Sequence, residues 1–454
     1  MSLRFVIIGG GPAGTQAATT AARLGAEVTL IERDIIGGAA HLWDCVPSKA
    51  MIATGGMLDE VAEAPGMGLT VDPAGVDLDA LRGRITGIID RLEDQSRRLL
   101  ESQGVNIVRG TGRLTGSHLV TADTAEGEVV FEADAIMVST GSRPRIPEWA
   151  EPDGDRILTT RDAYPPKVMP EQLVVIGSGV TGVEFVNMFT SFGAGVTLIV
   201  SRQQVLPGKD PEVAAVLEDD FLGRGVRLFK GARAVGIDRS EDGGVIVRCD
   251  DGRSAVGSHA LLAIGSLPNV EGVGLEEVGV EMDGPWVREV DHHMRTNVGH
   301  IYVAGDVSGK LPLSSVATMQ GRKIAEHVMG LHKVDHRHLD YDKAASAIFT
   351  DPEIADVGLA EADAFAEGRK VRVTKVPFAS TAKALINNDS RGFVKIISDP
   401  ATGVILGGSI VGRSAAELIA VIAVAVTNGL TVSDLAESIF VHPALTEALT
   451  DAAE

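Results

Sequence analysis

Cys45 stands in the run "DCVPSKAM" with Lys49 four residues on, and the other cysteine, Cys249, stands far along the chain in "VIVRCDDG". Cysteines so far apart fit neither a dithiol motif nor a zinc motif, so no disulfide framework and no metal site are expected. Cys249 reads as a small buried hydrophobe on a strand next to a turn. Near the C-terminus, "FVHPALTE" sets Glu447 about one helical turn beyond His442 and Pro443. A carboxylate at that range fixes the imidazole tautomer and makes His442 a competent proton donor, or else it serves to stabilise the last helix. Lys49, after a Pro47–Ser48 turn, and Glu184, in the first turn after Gly182, complete the set of ionisable side chains.

Backbone can also do chemistry, and two stretches are built for it. "FVIIGGGPAGTQAATTAARLGAEVTLIE", from Phe5, aligns with "LVVIGSGVTGVEFVNMFTSFGAGVTLIV", from Leu173. Gly9, Gly11 and Gly14 match Gly177, Gly179 and Gly182. In each copy an apolar strand runs into glycines, then a helix, then a second strand, which predicts two Rossmann-type βαβ units. The first glycine permits a tight turn, the second admits a pyrophosphate, and the third lets helix pack on strand. The helix N-terminus then offers unpaired N–H groups to the phosphates. Glu32 ends the first unit, where a carboxylate can accept hydrogen bonds from a ribose, so this site reads as one for FAD or NAD. The second unit has Val200 there, followed by Ser201 and Arg202. Without an acid, and with an arginine able to hold a 2′-phosphate, the second site leans to NADP.

These elements must sit in a large chain. Its 454 residues, 44% apolar with 53 glycines, fit a globular α/β protein of about three domains. The net charge of −21 argues against nucleic acid or an anionic membrane as partner and suggests a soluble cytoplasmic protein. The N-terminal apolar run passes straight into glycines and reads as a strand, not a signal peptide. The run "AAELIAVIAVAVTNGL" carries Glu417 and is too short to cross a bilayer, so no membrane insertion is expected. "IMVSTGSRPRIP" and "LLAIGSLPN", with Gly265, read as strands ending where the chain crosses between domains. "HIYVAGDVSGKLPLSS" predicts a strand, a Gly–Asp turn at Asp306 and a helix from about Pro312. Beyond about 337 the pattern is α+β, with strands "GFVKIIS" and "VILGGSIVG", a helix near 415–428 and a last helix from Pro443.

Taken in order, "GGGPAG" with Glu32, "GG…CVPSK", "TGSRPR", "GSGVTGVE", "AIGSLPN", "YVAGDV…QGR" and "HPALTE" resemble the flavoprotein disulfide reductases over essentially the whole chain. The resemblance implies an α/β fold: a FAD-binding domain over 1–148, an NAD(P)-binding domain over 149–267, a central domain over 268–336 and a dimerisation domain over 337–454. It implies FAD and NAD(P)H as cofactors and a homodimer. Within it, Asp306 binds the flavin ribityl chain and Gly112, in "RGTGRL", lies beside the FAD adenosine. Lys49 and Glu184 meet near the flavin N5, and His442 with Glu447 reaches the partner subunit's active site. A helix aimed at the flavin from beyond Asp306 would stabilise its anionic reduced form.

Members that reduce disulfides carry two thiols in this motif. The resemblance puts Cys45 at the position proximal to the flavin and Ala40 at the distal one, so the motif has no disulfide. Electrons are then expected to pass from flavin directly to a diffusible acceptor, a quinone first of all, as in the lipoamide-dehydrogenase-like quinone reductases. His442 is then either idle or a proton donor to the reduced quinone. His41 and Trp43, in the same loop, either shape an acceptor slot or simply pack. Three alternatives stay open: a soluble pyridine nucleotide transhydrogenase, a single-cysteine thiol chemistry at Cys45, and a non-catalytic subunit that keeps its flavin for stability.

Overall fold

The computed structural model describes residues 2–331 and 338–454. The boundary expected between 336 and 337 therefore lies outside the described residues. The chain forms two compact units: Met1–Ser48, Asp79–Arg145 and Ser266–Tyr341 make one, and Lys49–Leu78, Ile146–Gly265 and Asp342–Glu454 the other. The helices that carry functional residues are, in chain order, α1 (Pro12–Arg23), α2 (Gly38–Leu42), α3 (Cys45–Glu63), α4 (Leu78–Ser102), α5 (Val180–Ser191), α6 (Pro211–Gly223) and α7 (Ser314–Val328).

The first unit is built on β1 (Arg4–Ile8) and β2 (Glu27–Glu32), parallel with Arg4 opposite Glu27 and Ile8 opposite Ile31. The sheet runs Ile301–Val303, Ala135–Val138, β1, β2, Asn106–Arg109, every pair parallel. Parallel strands covered on both faces need continuous apolar runs, and "FVII" and "AIMV" are buried throughout. Ala13, Ala17, Ala18 and Ala21 form the buried stripe of α1, small enough for α7 to press in closely. A Cβ on Gly321 of α7 would lie 2.1 Å from the Ala13 carbonyl oxygen, so only glycine permits this approach.

The second unit repeats the plan. Its sheet runs Arg227–Lys230, Gly195–Val200, Gln172–Ile176, His259–Leu262, Ile157–Thr159, again all parallel. Each unit carries a three-stranded antiparallel insert: Thr111 to Glu132 in one, between the third and fourth strands of its parallel sheet in chain order, and Ala234 to Gly257 in the other, between the fourth and fifth. Ser142–Pro144 pairs antiparallel with Ser266–Pro268, and the chain leaves the first unit just after one and re-enters it at the other.

The C-terminal part of the second unit is a five-stranded antiparallel sheet ordered Ser346–Ile348, Glu353–Gly358, Ile405–Gly412, Phe393–Ser398, Arg372–Pro377. The helix Ala415–Asn428 covers it with Leu418, Ile419, Ile422, Ala425 and Val426, one face at helical spacing. Lys395 is fully buried on a central strand, and its ammonium meets Glu361 at 2.6 Å, Glu212 at 2.5 Å and Asp210 at 3.3 Å. Three carboxylates offset the desolvation of one buried ammonium, and they tie this sheet to the start of α6.

Three local expectations shift. Pro47 and Ser48 are not a turn before Lys49 but lie near the start of α3, where the N–H that proline lacks would have had no helical partner. The helix after Asp306 begins at Ser314 rather than Pro312. The last helix begins at Glu447, not Pro443, because the Glu447 carboxylate accepts the Ala444 N–H and closes a turn ahead of the helix.

Candidate active site

The two glycine triads adopt the same geometry in their separate units. Gly9 has φ +105° and a Cβ there would lie 2.3 Å from the Ser139 carbonyl oxygen; Gly177 has φ +110° and the same 2.3 Å to Ala263. At Gly14 and Gly182 a Cβ would meet the carbonyl oxygen of the first glycine at 1.9 Å, so helix and strand pack backbone to backbone. Gly11 and Gly179 face open space, with nothing within 4 Å of a Cβ position. The middle glycine of each turn is thus not demanded by the protein's own packing.

Glu32 is buried at the end of β2, and its carboxylate accepts the Gly10 N–H at 2.6 Å and the Asp34 N–H at 2.6 Å. Burial pushes its pKa up, and the two backbone donors pull against that. The carboxylate thus fastens the glycine turn while keeping lone pairs for a further donor. In the second unit Val200 is fully buried at the matching position, and Ser201 and Arg202 beyond it are exposed. Gly265, at φ +93°, is exposed and faces open space. Gly112 is buried, where a Cβ would lie 2.9 Å from Ile8 and 3.2 Å from Ile31, which gives it a packing reason of its own.

Asp306 opens a short 3-10 turn, Asp306–Ser308, and accepts a hydrogen bond from the Ser142 hydroxyl at 2.7 Å. Gly305, beside it, donates its N–H to the buried Gln320 side chain at 2.7 Å. In the same unit Cys45 is exposed at the start of α3, with Sγ 3.4 Å from the hydroxyl of Ser314 at the start of α7. A cavity of about 390 Å³ opens there, and Ala40, His41, Cys45 and Ser314 all line it. Trp43 is about one-third exposed and does not line it. Cys249 is buried at the end of its strand, and burial pushes its thiol up.

In the second unit Lys49 donates from Nζ to Glu184 Oε2 at 2.9 Å. Glu184, in the second turn of α5, is buried, and its other oxygen accepts the Phe349 N–H at 3.0 Å. The Lys49 ammonium also stands 4.7 Å from the centre of the Phe349 ring. Asn187, one turn on, holds the Asp351 N–H at 3.1 Å, so α5 fixes the segment that presents Phe349. Farther along, His442 Nδ1 meets Glu447 Oε1 at 2.5 Å. That contact, with the Ala444 N–H, holds the Glu447 carboxyl below its ordinary value. The imidazole is 73% exposed.

Residues 3–321 match the family profile described as pyridine nucleotide-disulphide oxidoreductase, and residues 344–453 match the dimerisation domain of that family. The chain belongs to this family. It is 43% identical, over its full length and 94% of the relative's, to an NAD(P)H dehydrogenase (quinone) of Mycobacterium tuberculosis. It is 36% identical to a dihydrolipoyl dehydrogenase of Haloferax volcanii, over 99% of this chain and 95% of that one. A crystal structure of LpdA from Mycobacterium tuberculosis superposes with a TM-score of 0.94 at 42% identity, covering 99% of both chains.

Pyridine nucleotide-disulphide oxidoreductases use FAD and NAD(P)H, and these residues fit both. The open faces of Gly11 and Gly179, at helix N-termini without a side-chain cap, leave room and donors for a pyrophosphate. Sequence reasoning named most of these side chains but missed Ser142, Gln320, Phe349 and Asn187. Ser142 was within reach, since it sits inside the quoted "TGSRPR" run. Phe349 and Asn187 act through backbone contacts that no local pattern announces. Among the described residues no helix is long and apolar enough to cross a membrane.

Proposed function

We propose that this oxidoreductase is a homodimeric NAD(P)H:quinone reductase that works without a redox disulfide. The observation that carries the reading is the cavity at Cys45: α2 lines it with Ala40 and His41 and brings no second thiol, and the other cysteine is buried on a strand. The relative named as a quinone dehydrogenase, alike over the whole chain, supports the same acceptor class. FAD, when bound, supplies a relay that takes hydride from the nicotinamide and yields electrons to the acceptor.

The chain's own residues have the remaining tasks. Gly9, Gly11, Gly14 and Glu32 hold the FAD diphosphate and ribose, with Gly112 near the adenosine, and Asp306, steadied by Ser142, holds the ribityl chain. Gly177, Gly179 and Gly182 hold the nicotinamide nucleotide; Ser201 and the exposed Arg202 accept a 2′-phosphate, and Gly265 keeps the turn open. Lys49 and Glu184 form the polar pair for hydride delivery. Glu184 fixes the lysine, and the Phe349 N–H fixes Glu184 in turn. His442, its tautomer held by Glu447, donates a proton to the reduced acceptor.

Cys45→Ser tests the reading. The variant is expected to keep most quinone turnover, and wild-type protein is expected to reduce lipoamide and oxidised glutathione poorly. If Cys45→Ser stops quinone turnover while NADPH reduces the flavin at the wild-type rate, the thiol is a relay and single-cysteine chemistry replaces this proposal.

A further inference from the structure

Gln320, on α7, and Tyr341, beyond it in the same unit, have no task so far. Both lead to Gly305, the residue before Asp306. Gly305 sits at φ +74° and ψ −159°, a backbone region that is essentially glycine's alone. Space does not demand glycine there, since a Cβ would make only ordinary contacts, with Ala317 at 3.8 Å and Ala13 at 3.9 Å. The torsion demands it. A backbone in so sparse a region persists only where its surroundings hold it, and such positions gather at ligand clamps.

Gly305 is held on both sides. Its carbonyl oxygen accepts the Ser308 N–H at 3.0 Å and the Ser308 hydroxyl at 2.8 Å. Its N–H donates at 2.7 Å to Oε1 of Gln320, which is 1% exposed in the middle of α7. A backbone N–H can only donate, so the amide is fixed with Oε1 toward Gly305 and Nε2 away from it. Nε2 in turn donates to the Tyr341 hydroxyl at 2.8 Å. Burial pushes the Tyr341 pKa up to about 12, with Gln320 pulling against it and the Glu289 charge adding to it. The phenol therefore stays neutral, and its oxygen remains an acceptor for the amide.

We propose that Gln320 and Tyr341 are positioning residues for FAD: they hold the Gly305 peptide in its glycine-only torsion and so aim the Asp306 carboxylate at the ribityl chain. Ser142 occupies one oxygen of that carboxylate and leaves the other for the cofactor. The inference rests on the reading above that Asp306 holds the ribityl chain. It adds a linkage from Tyr341 through Gln320 to Gly305 that governs flavin retention without itself touching the flavin.

The test is the rate at which FAD leaves the holoenzyme, read from the rise in free-flavin fluorescence on dilution. Gln320→Leu keeps the bulk but strands the Gly305 N–H, and release should speed up about tenfold. Tyr341→Phe, which removes the far anchor, should speed it about threefold. Gln320→Glu keeps an acceptor for Gly305 in either protonation state and should restore release to near the wild-type rate. Asp306→Ala should itself speed release, and in that background Gln320→Leu should add little, because both act through one carboxylate. A merely structural role for Gln320 would instead multiply in full with Asp306→Ala. Full multiplication, unchanged release in Gln320→Leu, or no rescue by Gln320→Glu overturns the inference and leaves Asp306 its role. If Gln320→Leu does not fold, Tyr341→Phe is carried through the same cycle, and unchanged release there overturns the inference equally. Wild-type retention of FAD in Asp306→Ala removes the reading of Asp306 itself, and this inference with it.

Discussion

Glu289 shows what a single buried carboxyl costs this fold. Its side chain is 9% exposed, Oε1 is buried without a hydrogen-bond partner, and the nearest cation, Lys310, is 4.0 Å away. Burial pushes its pKa up to about 7, Lys310 pulls down, and Asp291 adds to the rise. An acid whose folded pKa lies above its unfolded value destabilises the fold as pH rises between the two. Stability therefore falls from about pH 4.5 to 7 and levels above that, by about 3 kcal/mol in all and under about 1 kcal/mol at pH 5. Glu289→Gln should accordingly stabilise the protein more at pH 8 than at pH 5 in urea unfolding, and a gain independent of pH removes the buried carboxyl as its cause. Nothing in "VREVDHH" marks Glu289 as buried, because only the tertiary fold covers it. Glu32 differs. Its place at a strand end beside a glycine turn was legible, but its bonds to the Gly10 and Asp34 backbone depend on how strand and turn close in space.

At the scale of elements, one three-glycine turn separates folding from ligand binding. Gly14 is needed by the protein itself, since any Cβ meets the Gly9 carbonyl oxygen at 1.9 Å, whereas Gly11 faces open space. Gly14→Val should therefore lose cooperative unfolding or soluble expression. Gly11→Val should fold, with a native-like circular dichroism spectrum, yet bind well under one FAD per chain. Full flavin occupancy in Gly11→Val would break the assignment of this turn to the pyrophosphate. The strand–turn–helix order of both units was legible because glycine spacing and apolar runs are local signals. Helix starts were less so. Pro47 reads as a breaker in sequence but is accommodated near a helix N-terminus, and the start of the last helix is set by the Glu447 carboxylate holding Ala444.

At the scale of the molecule, the repeat in sequence becomes two parallel sheets in which four strands follow the same order and an antiparallel insert precedes the fourth, while the remaining edge strand comes last in the chain in one sheet, Ile301–Val303, and first in the other, Ile157–Thr159. The repeat was visible from its glycines, but the order of the antiparallel C-terminal sheet was not, because its strands pair out of chain order. That sheet belongs to a dimerisation domain, and the segment before its last helix exposes apolar side chains. Ile439 is 99% exposed and Val441 75%, beside an exposed His442. A folded monomer seldom leaves such apolar side chains grouped in water, and a second copy of the chain is the occupant that the domain calls for. The protein should sediment as a dimer, and Ile439→Asp with Val441→Asp should weaken that dimer. On the proposed role of the imidazole as proton donor to the acceptor, His442→Ala should leave both the dimer and flavin reduction by NADPH intact and slow only the step that reduces the quinone. A dilute monomer that keeps full quinone turnover would remove His442 from catalysis across the interface, and its pairing with Glu447 would then serve only to hold the last helix.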